Sequence, residues 1–286
     1  MKNQTPKTHE GIFSDYSESD VVIFGIPYDG TASYRPGARF GPSAIREEID
    51  GIETYSPYLD RDLSDYRICD LGDMPMFFGD TEKVLENIRY ETKRILEDNK
   101  KTVVIGGEHL ITLPLVESYI EKYPDLHVIQ FDAHADLRDE FIGEKYSHAT
   151  VMRRVFDVLL DGDLWQFGVR SGTRDEFEFA DKYTNINRFS LNGVKEAVYK
   201  IGAAPVYITL DIDVLDPSTM PGTGTPEAGG ITFVELMEGI KALSGLNIVG
   251  ADITELSPHY DLSGVSTSVA CKALRELLLV LAQGDD

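Results

Sequence analysis

Short apolar runs alternate with helical patterns from one end of this 286-residue chain to the other. The runs are Val21–Ile26, Ile68–Leu71, Thr102–Ile105, Leu126–Phe131, Asp163–Val169, a weaker Thr184–Asn187, Val206–Leu210 and Asn247–Ile253. They have strand length, and most are continuously apolar, as strands covered on both faces must be. Helical patterns lie between them at Pro42–Ile52, Thr81–Asn99, Leu110–Tyr123, Ser147–Leu160, Arg174–Tyr183, Leu191–Ile201, Thr232–Leu243 and Val265–Gln283. In the second of these Val84, Leu85, Ile88 and Ile95 share one face with Thr92, which is the period of a helix. About eight strands interleaved with helices predict an α/β fold, a three-layer α/β/α sandwich with a mainly parallel central sheet. No long Gly/Ser linker, repeat or low-complexity tract interrupts the pattern. The expectation is one domain over residues 1–286 with a short polar segment at 1–15.

Composition narrows the partners. Asp and Glu number 49 against 27 Lys and Arg, a net charge of -22. A surface that acidic excludes nucleic acid and anionic membrane as expected partners. The two cysteines, Cys69 and Cys271, sit among apolar neighbours and are expected to be buried free thiols rather than a disulfide framework. The first 15 residues lack an apolar signal core, and no stretch approaches the ~18 consecutive apolar residues of a membrane span. A cytoplasmic location is expected.

Two of the strand candidates run directly into aspartates. Leu126–Phe131 is followed by Asp132-Ala133-His134-Ala135-Asp136, and Val206–Leu210 by Asp211-Ile212-Asp213. Read as extended chain, alternate residues share a side, so Asp132, His134 and Asp136 point together, and the second segment does the same with Asp211 and Asp213. Ligands of parallel sheets bind outside the carboxyl ends of the strands. A third strand ends at that rim in Gly106-Gly107-Glu108-His109, where paired glycines permit a tight turn. Four carboxylates so close together repel and resist desolvation unless cations join them. Two divalent ions match the charge of Asp132, Asp136, Asp211 and Asp213, with His109 and His134 completing six ligands. A His/Asp set without cysteine suits Mn²⁺ best, with Mg²⁺, Co²⁺ and Zn²⁺ as alternatives. Water shared by two such ions is acidified enough for hydrolysis near neutral pH.

At these residues the chain resembles the ureohydrolase (arginase/agmatinase) family, and is most like the agmatinases. The resemblance is carried by Gly106–His109, Asp132–Arg138 and Thr209–Pro217, which continues as Pro221-Gly222-Thr223-Gly224-Thr225-Pro226-Glu227-Ala228-Gly229-Gly230. It includes Ser33–Pro42 near the N-terminus and extends over nearly the whole chain. It implies the arginase-like fold and two Mn²⁺ per subunit. One ion is expected on His109, Asp132, Asp136 and Asp211, the other on His134, Asp132, Asp211 and Asp213, with Asp132 and Asp211 bridging. Asp136 is also expected to orient the hydroxide nucleophile. Glu255 matches the carboxylate that pairs with the substrate guanidinium, and His148 the histidine that moves a proton to the departing amine. The family often has His-Gly at the latter position, and this chain has His148-Ala149. An ordinary imidazole pKa of ~6.5 suits that transfer. The family's trimers and hexamers imply a homo-oligomer.

The tail of the substrate is read from local charge. Asp139, Glu140 and Glu144, between the metal motif and His148, are expected to repel an α-carboxylate and favour a cationic amine. Phe167–Gly172 and Pro226–Gly230 also look more like agmatinases than arginases. Glu227 reads equally well as a turn residue and as a partner for the substrate amine, and stays outside the expected site. The expected reaction is agmatine hydrolysis to putrescine and urea, with a small cationic guanidino substrate as the partner. Alternatives are guanidinobutyrate, guanidinopropionate or arginine as substrate, or a non-catalytic binding protein of the same fold. A single-zinc deacetylase-like hydrolase would keep fewer ligands. A dinuclear phosphoesterase would want a basic rim, and this one is acidic apart from Arg138.

Overall fold

All eight expected strands form, and they lie in one sheet. In chain order they are β1 Val21–Ile26, β2 Ile68–Asp73, β3 Lys101–Gly106, β4 His127–Phe131, β5 Leu164–Val169, β6 Asn185–Arg188, β7 Pro205–Asp211 and β8 Asn247–Thr254. The computed structural model describes residues 1, 5–77, 79–160 and 162–283, so part of the polar segment expected at 1–15 lies outside the described residues. The strand order is β2-β1-β3-β8-β7-β4-β5-β6. Every neighbouring pair is parallel. A two-residue antiparallel ribbon, Tyr55–Ser56 against Arg61–Asp62, is a pairing the hydrophobic pattern does not announce. It is too short to show alternation.

Among the described residues, eight α-helices cover the sheet: α1 Gly41–Glu48, α2 Thr81–Glu97, α3 Thr112–Lys122, α4 Val151–Val158, α5 Arg174–Tyr183, α6 Val194–Ile201, α7 Phe233–Ala242 and α8 Val265–Ala282. Residues alternate between two cores along each central strand. Ile23, Val103, Ile105, Ile129, Ile208 and Ile253 pack on the face covered by α1, α6, α7 and α8. Val22, Phe24, Val104, Val128 and Tyr207 face α2, α3, α4 and α5. This is the expected three-layer arrangement. Helix starts are chemically explicit. Asp80 accepts the Lys83 N–H at the start of α2, and Thr173 with Glu176 and Thr232 with Glu235 form reciprocal caps on α5 and α7. No helix among the described residues is long and apolar enough to cross a membrane.

The register sets the level of the functional residues. Phe131 of β4 lies beside Leu210 of β7, Asp211 of β7 beside Thr254 of β8, and Ile253 of β8 beside Ile105 of β3. The four central strands therefore end together, and the residues after them meet at one rim.

Gly106 and Gly107 serve that rim by space rather than by turn geometry. Neither adopts a positive φ. A Cβ on Gly107 would land on the Tyr28 backbone, and one on Gly106 would crowd Thr254 Cγ2 and the Ile253 carbonyl. Close backbone approach is what glycine permits here. The Gly107 carbonyl in turn accepts the Glu255 N–H at 2.8 Å. Gly107→Ala is expected to destabilise the protein by about 1–3 kcal/mol, the range for overpacking a filled interior, as read from the denaturant midpoint. A midpoint equal to that of the unmodified chain would show that the strand end relaxes freely.

Candidate active site

Every residue expected at the site reaches this rim. His109 begins a 3₁₀ turn, His109–Ile111, that feeds α3. Asp132–Asp136 follow β4, Asp211 ends β7, and Asp213 sits in the 3₁₀ turn Ile212–Val214. Glu255 follows β8, and His148 begins the 3₁₀ turn before α4.

The aspartates converge by a route different from simple alternation. Residues 132–136 form no continuous strand, with one bridge from His134 to Ser171, and Asp136 holds φ 53°. Each cluster is instead folded by its first carboxylate. Asp132 Oδ1 accepts the His134 N–H at 2.6 Å, and Asp211 Oδ1 accepts the Asp213 N–H at 2.9 Å. An aspartate taking the N–H two residues on makes an Asx turn. The clusters are then tied together, because Asp213 Oδ1 accepts the Ala133 N–H at 3.1 Å.

Two groups of donor atoms result. His109 Nδ1 lies 3.0 Å from Asp132 Oδ2, 3.0 Å from Asp136 Oδ2 and 3.6 Å from Asp211 Oδ2. His134 Nδ1 lies 3.0 Å from Asp213 Oδ2 and 3.5 Å from Asp132 Oδ1. His109, Asp132 and Asp211 form one group with metal-ligand spacing, and Asp132, His134 and Asp213 a second. Asp132 gives one oxygen to each. Asp211 directs Oδ2 to the first group and spends Oδ1 on its own turn.

Above them opens a cavity of about 460 Å³. His109, His134, Asp136, Asp211, His148 and Glu255 line it. Glu255 is itself at φ 66°, a strained conformation for a glutamate, and its Oε1 accepts the His109 N–H at 2.8 Å. Asp139, Glu140 and Glu144 do not line it. They face solvent, and Asp139 pairs with Arg154. This corrects the expectation that these three acids select the substrate tail: solvent-screened surface acids exert little field in the cavity. Two further carboxylates line it, Glu176, which caps α5, and Glu227, whose Oε1 accepts the Ser171 hydroxyl proton at 2.9 Å. Its segment is held by Arg170, which donates to the Glu227 carbonyl and to the carbonyls of Asp213 and Val214.

Comparison with known proteins agrees with this geometry. The family model described as Arginase family matches residues 19–280. An agmatinase of Bacillus cereus is 47% identical over 268 residues, covering 92% of each chain. A solved structure from Clostridium difficile superposes with TM-score 0.92 at 49% identity, covering 95% of this chain and 100% of the other. The agmatine ureohydrolase of Thermoplasma volcanium superposes with TM-score 0.86 at 33% identity, covering 98% and 96%. The chain belongs to the arginase family.

The electrostatics of this arginase-family site fit divalent cations. Burial, together with the charges of Asp213 and Asp132, drives the Asp211 carboxyl well above its usual range. Asp136 is raised by burial and by Asp132. Glu255 is raised by burial and by Glu108. Burial acts to raise Asp132 as well, but hydrogen bonds and charge from His109 and His134 outweigh it and hold that carboxyl low. For His109 and His134 burial lowers the imidazole pKa, and the surrounding carboxylates more than reverse it. A buried set in which like charges suppress one another is relieved by metal.

Hydrogen bonding around His109 makes the same point. Asp252 is fully buried and accepts from the hydroxyls of Thr209 at 2.8 Å, Thr112 at 3.0 Å and Tyr207 at 2.9 Å. Thr209 thereby commits its proton and accepts from His109 Nε2–H at 2.9 Å. The other nitrogen, Nδ1, is then left to face the carboxylates with a lone pair, the form that binds a cation. Gln130 acts similarly, donating to Asp132 Oδ2 at 2.6 Å while Gln166 holds its Oε1 at 2.7 Å. Sequence reasoning missed Gln130, Gln166, Thr209 and Asp252. The available signal was a polar residue inside an otherwise apolar buried strand, which needs a partner.

His148 departs from its expected ordinary pKa. Burial pushes it down to about 4, with help from His134. In the metal-free protein its ring is therefore expected to titrate near 4 by NMR, staying neutral as pH falls from 7 to 5. A midpoint at the unperturbed ~6.5 would contradict this. Thr209→Val keeps the shape and removes the hydroxyl. It is expected to weaken metal binding about 10–100-fold, the range for outer partners of metal ligands, as measured by titration of the metal-free protein.

Proposed function

We propose that the protein is a dinuclear Mn²⁺ hydrolase that converts agmatine and water to putrescine and urea. The observation that carries this reading is the pair of His/Asp groups sharing Asp132 beneath a cavity whose lining includes Glu255, bonded to the His109 N–H, and Glu227, bonded to Ser171. Agmatine has a cation at each end, a guanidinium and an amine. The names of two relatives, an agmatinase in Bacillus cereus and an agmatine ureohydrolase in Thermoplasma volcanium, support the same substrate.

His109, Asp132, Asp136 and Asp211 would hold one ion, and His134, Asp132, Asp211 and Asp213 the other. Bound there, the ions would supply Lewis acidity and an acidified water near neutral pH. Glu255, oriented by the His109 N–H, pairs with the guanidinium. His148, neutral at the working pH, receives a proton and passes it to the alkyl nitrogen as the bond from that nitrogen to the guanidinium carbon breaks. Glu227 accepts from the ammonium tail, and Ser171 fixes one of its oxygens for that contact. We place the enzyme in the cytoplasm as a homo-oligomer, a trimer or hexamer, acting as one domain.

Arg35 and Arg138 also line the cavity, and they favour a second reading in which the tail is a carboxylate, as in guanidinobutyrate. Urea release by the Mn²⁺-loaded protein decides between them. Agmatine is expected to exceed arginine and guanidinobutyrate in kcat/KM, and a preference for either carboxylate-bearing substrate would reject the amine-tail reading. Asp213→Ala is expected to remove one metal and most of the activity, and full activity in it would refute the dinuclear assignment. Glu227→Gln is expected to raise KM for agmatine about tenfold or more, the loss of one charge-assisted hydrogen bond. Its effect on guanidinobutyrate should be small or favourable.

A further inference from the structure

We infer that Thr31 is a positioning residue for His148, and that buried Glu108 sets the direction of its hydroxyl proton. The inference rests on the proposed role of His148 as carrier of the leaving amine's proton.

Three segments far apart in the chain meet here: the loop after β1, the turn after β3, and the turn before α4. Thr31 donates its backbone N–H to Glu108 Oε2 at 2.8 Å and its hydroxyl proton to Glu108 Oε1 at 2.5 Å. Glu108 is 1% exposed. A threonine hydroxyl has one proton. With that proton on Glu108, only lone pairs of Thr31 Oγ face His148.

His148 meets those lone pairs twice. Its backbone N–H donates to Thr31 Oγ at 3.1 Å, and its ring Nδ1 lies 3.4 Å from the same oxygen. An acceptor beside Nδ1 selects the tautomer with the proton on Nδ1. The lone pair then sits on Nε2, which lies 3.3 Å from the hydroxyl of Ser33, a cavity-lining residue. Phe141 stands edge-on to the ring, 5.6 Å between centroids at 84°, and limits its rotation. Nε2 is thereby the nitrogen that receives and returns the proton on the cavity side. The arrangement is the third-group logic of general acid–base sites, with a hydroxyl between the carboxylate and the imidazole.

The test uses the full-length Mn²⁺-loaded enzyme and urea release from agmatine, with kcat and KM read separately and thermal midpoints recorded. Thr31→Val is expected to lower kcat about tenfold, a part of the 10²–10⁴ supplied by acid–base catalysis, with KM nearly unchanged. Thr31→Ser, which restores the hydroxyl, is expected to recover most of that kcat. In a His148→Ala background Thr31→Val should change kcat by less than about twofold, because the residue it acts through is gone. Equal losses in both backgrounds would mean that Thr31 only shapes the loop, and would overturn the inference while leaving the role of His148 intact. A His148→Ala enzyme with full kcat would instead remove the reading beneath it. Should Thr31→Val not fold, ¹⁵N NMR of the histidine rings in the metal-free protein gives an independent answer. Neutral His148 protonated on Nδ1 is expected, and protonation on Nε2 would overturn the assignment.

Discussion

The structure is organised around the burial of four aspartates at one sheet rim. Asp132, Asp211 and Asp213 are 3% exposed or less. Unpaired, such charges would be expelled or neutralised. The chain manages them by dividing each carboxylate. Asp211 and Asp213 each give one oxygen to a backbone N–H and turn the other toward a histidine. Asp132, which serves both groups, has His134 N–H on one oxygen and the Gln130 amide on the other. The donors fix orientation without neutralising the charge. What remains is a rigid set of anionic atoms aimed inward, which is what a divalent cation needs and what a hydrophobic core would reject.

The sheet order is the second consequence of that demand. The strands that deliver the set, β3, β8, β7 and β4, are contiguous in the sheet though scattered in the chain. Because they are parallel and in register, their carboxyl ends open on the same side at the same level. At that rim the backbone leaves regular geometry. Asp136 and Glu255 both take positive φ, and both lie where a side chain must be turned back toward the centre of the rim. Strain at such positions is stabilised by the packed strands behind them. Glu255 is further held by the Gly107 carbonyl and the His109 N–H.

Much of this was legible in the residues alone, for reasons that differ by element. Seven strands stood out because a strand buried on both faces has few polar positions to blur it, and the half-buried edge strand Asn185–Arg188 gave the weaker signal for the same reason. The helix Thr81–Glu97 stood out because its apolar positions keep the helical period, and the structure adds the cap at Asp80. The six candidate ligands were legible because aspartates grouped at the ends of buried strands are too costly to keep without a cation. Side-chain direction was not. The Asx turns at Asp132 and Asp211 make the clusters compact, and alternation along an extended chain predicts a different path. Nor did the sequence distinguish the exposed acids at Asp139, Glu140 and Glu144 from Glu227, since only the fold decides which carboxylate lines the cavity. Gln130, Thr209 and Thr31 escaped because their roles depend on partners 36 to 117 residues away.

The two histidines at the centre of the site are held by the same device. His109 rests on Thr209 and then Asp252, and His148 on Thr31 and then Glu108. A carboxylate in place of either hydroxyl would fix the tautomer too, but it would also stabilise the imidazolium and raise the pKa. Interposing a neutral hydroxyl separates the two effects. The carboxylate orients the hydroxyl, the hydroxyl selects which ring nitrogen carries the proton, and the full charge stays one residue away. For His109 the product is a nitrogen lone pair directed at the aspartates, suited to a metal. For His148, which burial already pushes down to about 4, it is a neutral base whose conjugate acid gives up its proton readily. A tightly held imidazolium would serve neither purpose, and the threonines keep the rear of each ring from favouring one.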